Sequence, residues 1–222
     1  ENPAGNSHRY DSGLISSHSS FDLEYGRFEM RGLLPQGQGL WPAFWLLPVN
    51  GSWPPEIDVF ESLGQDSDTV YMNVHWEDGG QHGQNQGELS GPDFSSAYHI
   101  FTVDWTPNTL TWYVDGVQQH QVNNHSPVGP MYVIANLAVG GDWPGSPDAS
   151  TAFPATFDID YIRVYQGLPD APPPPDNQSG PILPTPTGNA AQESDSPASS
   201  VSDKKDKKHK KGKKGSKAGK GK

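Results

Sequence analysis

Three carboxylates fall within six residues in Glu56-Ile57-Asp58-Val59-Phe60-Glu61. In a strand, side chains two apart share a face, so Glu56 and Asp58 point together. Glu61 lies three beyond Asp58, and in a regular strand it would point the other way. One extra residue in a β-bulge near Val59 or Phe60 would return it to the same side and leave the apolar groups facing a core. Three acids would then line one surface. A retaining glycosidase needs two carboxyls about 5–5.5 Å apart, one as nucleophile and one as acid/base. Crowding like charges raises at least one pKa, which suits a group that donates a proton near neutral pH. A third acid between them could orient the nucleophile and take part of a shared proton.

Acidic residues on a solvated strand face would give the same bare spacing. The surroundings separate the two readings. Gly39 to Pro48 contains Trp41, Phe44 and Trp45, and Trp53-Pro54-Pro55 directly precedes Glu56. Sugar rings present apolar C–H faces that stack on aromatic planes, while their hydroxyls need polar partners. Phe44 reads as core; Trp41, Trp45 and Trp53 read as candidates for a sugar-binding surface, because alternation cannot turn them all inward.

The elements that must position these groups are strands. Phe28 and Met30 alternate with Arg27, Glu29 and Arg31, and Phe101, Val103 and Trp105 alternate with Thr102 and Asp104. Leu110, Trp112 and Val114 repeat the pattern into Asp115-Gly116, a hairpin-turn dipeptide, followed by Val117-Gln118. Trp105 to Asn108 reads as a turn. Val70–Trp76 and Phe157–Tyr165 are further strands, and the more continuously apolar Met131–Val139 predicts a strand covered on both faces. Gly and Pro recur too often for an amphipathic helix of three turns. The class is all-β, with two packed antiparallel sheets.

Charge and composition set the boundaries. Residues 1–202 carry 24 Asp and Glu against four arginines, whereas residues 203–222 carry eleven lysines and two aspartates. Every Trp, Tyr and Phe lies at or before Tyr165, and nine prolines fall between 167 and 202. The expected organisation is a folded domain over 1–166, a Pro/Ser-rich extended linker over 167–202, and a disordered Lys/Gly-rich tail over 203–222. There is no cysteine, so disulfides and thiolate metal sites are excluded. No stretch has the apolar length of a membrane span. The lysine run could hold the chain to an anionic cell wall or polysaccharide through salt-sensitive attraction. It brings no aromatic or recognition motif, so nucleic acid is not an expected partner. The chain begins Glu1-Asn2-Pro3 with no initiator Met or signal peptide, which reads as a processed or partial chain.

Over residues 9–166 the sequence resembles glycoside hydrolase family 16, and within it the laminarinase-like endo-β-1,3-glucanases. The matching blocks run in order: Tyr10 to Gly13, Tyr25 to Glu29, Gly39 to Pro48, the acidic motif, Val74-His75-Trp76, Tyr98 to Trp105, Trp112 to Gly116, Asn136 to Gly145 and Asp160 to Tyr165. The motif has the longer form found in laminarinases, agarases and carrageenases; lichenases and xyloglucan transglycosylases have the shorter one.

The resemblance implies a concanavalin A-like jelly-roll β-sandwich with a glycan cleft on its concave sheet. It implies retaining hydrolysis of internal β-1,3, or mixed β-1,3-1,4, glucan linkages, with Glu56 as nucleophile, Glu61 as acid/base and Asp58 assisting the nucleophile. Its substrate-binding candidates are Trp41, Trp45, Trp53, His75, Trp76, Asn136 and Trp143. His75 and Trp76 match a strand bordering the acid/base side; alternation puts Tyr71, Asn73 and His75 on one face and Trp76 on the other, so His75 is preferred. No cofactor is required by this chemistry; a structural Ca²⁺ with Asp160 as one ligand is the one metal the resemblance allows. A secreted or cell-wall-associated monomer acting on a β-glucan is expected. The alternatives are a cell-wall glucan transglycosylase and a non-catalytic β-glucan-binding protein; binding relatives typically lose the paired glutamates, which are present here. Only nine residues precede Tyr10, where the resembled domains carry some tens, so the expectation is that strands are missing there, leaving an apolar face or sheet edge uncovered.

Overall fold

The computed structural model describes residues 9–125 and 129–169; the tail and nearly all of the linker expected from composition lie outside them. Eleven strands and no helix occur among the described residues: β1 (Leu14–Ser16), β2 (Gly26–Leu33), β3 (Leu40–Pro48), β4 (Glu56–Leu63), β5 (Asp66–Asp78), β6 (Gln81–Ser90), β7 (His99–Trp105), β8 (Thr109–Val114), β9 (Val117–Asn123), β10 (Met131–Val139) and β11 (Asp158–Tyr165). They form two antiparallel sheets, one ordered β1-β10-β3-β4-β5-β6 and the other β11-β2-β7-β8-β9. This is the jelly-roll sandwich that the period-two pattern and the family resemblance lead one to expect.

The core lies between the sheets and is closed by aromatic side chains from both. Phe28, Phe44, Phe60, Phe101, Trp105 and Trp112 are all buried. The Phe60 and Phe101 rings meet across the sandwich at 4.2 Å between centroids. Asp115 and Gly116 both have positive φ (50° and 77°), as a two-residue hairpin turn requires, and Gly79-Gly80 does the same between β5 and β6 (59° and 81°).

The charges that alternate along β2 are taken out of solvent. Arg27, Glu29 and Arg31 are buried on the outer face of the five-stranded sheet. Arg27 donates from Nε and Nη2 to the two oxygens of Asp104 at 2.6 and 2.8 Å. This bidentate geometry offsets the cost of desolvating both ions. β10 departs from expectation in the other direction. Ile134 is buried, but Tyr132, Asn136 and Ala138 on the same side remain partly open, so that face is a lined surface and not a covered one. At the sheet edge, Leu14 and Ile15 of β1 are exposed.

Candidate active site

The six-stranded sheet turns Trp41, Ala43 and Trp45 of β3 away from the core, while Leu40, Phe44 and Leu46 of the same strand are fully buried beneath. On β4 the bulge is present. Trp45 faces Asp58 and Phe44 faces Phe60, so Val59 is the extra residue. Val59 and Phe60 both enter the core cluster, and Glu56, Asp58 and Glu61 emerge on the face shared with Trp41 and Trp45. The bulge interrupts the ladder next to Asp58, and the buried Trp112 indole reaches across from β8 to donate to the Asp58 carbonyl at 2.8 Å. Trp112 thus satisfies a backbone group beside the bulge and ties it to the opposite sheet.

Glu56, Asp58 and Glu61, with Trp41, Ala43, Trp45, Asn136 and Ala138, line one depression of about 220 Å³. A larger hollow of about 650 Å³ lies between Asp11–Gly13 and Thr151–Ala155. It has no paired carboxylates, so the chemistry resides in the smaller one. The three acids differ in surroundings. Glu61 accepts from Trp41 Nε1 at 3.0 Å and from Asn73 Nδ2 at 2.9 Å. Burial and then the nearby Asp58 charge push its carboxyl up to about 8, against the pull of those two donors. Asp58, 2% exposed, is held well above the usual carboxylate range by burial and by Glu56. Glu56 is raised by burial, and His75 and the Trp53 indole oppose that rise by favouring its anion. Trp53 Nε1 donates to Glu56 Oε2 at 3.1 Å. The cluster therefore sets a proton-holding Glu61 against a Glu56 whose anion has two stabilising neighbours.

Aromatic walls stand on both sides. Trp143, 41% exposed, packs edge-on against Trp41 and Tyr71 near Glu61. Trp53, 58% exposed, lies over His82 and beside His75 near Glu56. Between them Trp45 donates to Asn136 Oδ1 at 2.7 Å. Six of the seven substrate-binding candidates are thus gathered around the acids. Trp76 is not: β5 runs through Thr69–Asp78 against β6 without a bulge, so Trp76 points to the opposite face, packing on the core and stacking on His125. His75 sits beside Glu56 and not on the Glu61 side, because the antiparallel register opposes Glu56 to His75 and Glu61 to Tyr71. Asp160 accepts from Arg31 Nη1 at 2.8 Å. That contact uses one of its two carboxylate oxygens, and the side chain is 36% exposed.

Some residues of the site were not singled out as candidates from sequence. Asn73 and Tyr71 share the His75 face, and that alternation was a usable signal. His82 comes to His75 only through the β5–β6 hairpin, with Nδ1 of His75 and Nε2 of His82 3.0 Å apart. The Gly79-Gly80 turn was its one sequence trace. Trp112 gave none, since its partner is a backbone carbonyl 54 positions away.

A paired-carboxylate cleft with aromatic walls thus lies on one face of an antiparallel sandwich. The chain belongs to glycosyl hydrolases family 16, whose sequence model matches residues 6–163. It is 43% identical over 161 residues to the endo-1,3-1,4-beta-glycanase ExsH of Rhizobium meliloti (strain 1021), a match covering 72% of this chain and 34% of that protein. It is 39% identical over 184 residues to the glucan endo-1,3-beta-glucosidase A1 of Niallia circulans, covering 71% and 26%. Among solved structures, the laminarinase catalytic domain of Thermotoga maritima MSB8 superposes with a TM-score of 0.62 at 40% identity, covering 69% of this chain and 68% of that one. The chain spans about a third or less of the length of these two curated relatives.

Proposed function

We propose that this chain is a retaining endo-glycosidase that hydrolyses internal β-1,3 or mixed β-1,3-1,4 linkages of an extracellular β-glucan. The observation that carries this reading is the bulge at Val59, which brings Glu61, with its carboxyl at about 8, to the same face as Glu56. At pH 7 about nine-tenths of Glu61 is protonated and able to act as an acid. In the first step a Glu56 oxygen attacks the anomeric carbon as Glu61 gives its proton to the departing glycosidic oxygen. This leaves a glycosyl ester on Glu56 and an anionic Glu61. Forming the ester removes a charge that had helped raise the Glu61 pKa, so Glu61 becomes the anion that the second step needs. It then takes a proton from water, whose oxygen displaces Glu56 and restores the original anomer. Asp58, whose carboxyl burial and the neighbouring Glu56 charge raise well above the usual carboxylate range, stands beside the attacking group and orients it.

A neutral glucan fits the walls. Neither Arg nor Lys is among the residues lining the depression, and sulfated galactans call for such cations. Incubation with laminarin, mixed-linkage glucan, agarose and carrageenan should release reducing ends from the first two. No release from any of the four, or release confined to agarose or carrageenan, overturns the assignment. The Asn73 amide favours the Glu61 anion. Asn73→Ala should therefore move the alkaline limb of kcat/KM above its wild-type position near pH 8 and lower the maximum. A limb that stays in place would remove Glu61 as the acid.

A further inference from the structure

We propose that Glu56, Asp58 and His75 form a three-ligand site for a transition-metal dication of the Zn²⁺ kind, and that filling it shuts down hydrolysis. The inhibitory half rests on the function proposed above; the binding half does not. One ligand atom from each residue lies within 4.8 Å of the other two. His75 Nε2 is 3.5 Å from Asp58 Oδ2 and 3.7 Å from Glu56 Oε1. Tetrahedral ligands at ~2.1 Å from Zn²⁺ stand about 3.4 Å from one another, so both carboxylate–imidazole distances are already within a few tenths of an ångström of that spacing.

Two further observations point to a cation. Asp58 Oδ2 is buried without a hydrogen-bond partner although it faces the imidazole, and a buried carboxylate oxygen left so is costly. The His75 ring is also oriented from behind. With the proton on Nδ1, donated to His82 Nε2 at 3.0 Å, the Nε2 lone pair points at the two carboxylates. Ring orientation by an outer partner is the usual arrangement of metal-binding histidines. Trp53 engages Glu56 Oε2 and leaves Oε1 for the metal. One imidazole and two carboxylates suit Zn²⁺ or its neighbours in the first transition row, whereas Ca²⁺ calls for six or more oxygens. A metal bound here would occupy the attacking carboxylate and the acid beside it.

Titration calorimetry with ZnCl₂ alone on the full chain tests the site. The wild type should bind one Zn²⁺ in a saturable phase. His75→Ala should weaken that phase at least ~100-fold, and His82→Ala, at a surface position, by ~10–100-fold. Thermal melts check that both variants are folded. If His75→Ala does not fold, the His82→Ala shift decides. Absence of a saturable phase in the wild type, or the same phase in both variants, overturns the proposal. In parallel, Zn²⁺ should inhibit laminarin hydrolysis with a constant matching the calorimetric one, reversibly by EDTA; bound metal without inhibition overturns the second half. Zn²⁺ binding in a chain that cuts no glucan leaves the metal site standing and removes the hydrolase reading, and cleavage without Zn²⁺ binding does the reverse.

Discussion

Glu56→Gln is expected to lower kcat on laminarin by at least ~10⁴-fold while leaving the Kd of a bound oligosaccharide within a few-fold. The substitution keeps the size of the side chain and replaces an attacking oxygen anion with a neutral amide, so the loss falls on the chemical step. The aromatic walls, Trp53 with His82 on one side and Trp41 with Trp143 on the other, keep all their residues, and the glutamine amide oxygen can still accept from Trp53 Nε1 as Glu56 does. Parallel measurement of turnover and of oligosaccharide affinity by calorimetry checks both halves. Retained activity would mean that another group attacks the anomeric carbon; lost affinity would mean that the substitution had disturbed the cleft itself.

Glu61→Gln should cost ~10³-fold or more on the polymer and far less on an aryl glycoside whose leaving group needs no proton. It also has a consequence for stability. The Glu61 carboxyl titrates at about 8 when folded and near 4.3 when unfolded, so folding favours its neutral form. That contribution is complete below the unfolded value and is lost as pH rises through about 8. Glutamine has no charge to bury. The melting temperature of the variant minus that of the wild type should therefore grow between pH 4 and pH 9, by an amount on the order of a few kcal/mol, or roughly 5–10 °C for a domain of this size. A difference that stays flat with pH would show that Glu61 is not held neutral by its surroundings.

Much of this arrangement could be read from the order of residues because its determinants are local. The pleat has a period of two, so the spacing of Glu56, Asp58 and Glu61 demanded an irregularity at Val59 or Phe60, and the bulge lies there. The same period set His75 apart from Trp76. Asp115-Gly116 announced its own turn, and the strands around Phe28, Phe101, Trp112 and Met131 announced themselves by alternation or by apolar runs. What stayed hidden depends on partners far along the chain. β6 carries a single large apolar residue, Leu89, so nothing marked Gln81–Ser90 as a strand, and His82 went unnoticed with it. The side of the cleft on which His75 lies follows from the β4–β5 register, which the bulge displaces. The partner of the buried Arg27 could not be read locally, because Asp104 lies 77 positions beyond it. The Arg31–Asp160 pair was equally hidden, since its members lie 129 positions apart.

The central claim is that Glu56 and Glu61 act together through a covalent intermediate. Proton NMR of laminarin during the first minutes of digestion tests it most directly, because each new reducing end is born as one anomer before mutarotation mixes the two. The account predicts that the β-anomer appears first and the α-anomer grows in afterwards. An initial excess of the α-anomer would mean a single displacement by water and would contradict it.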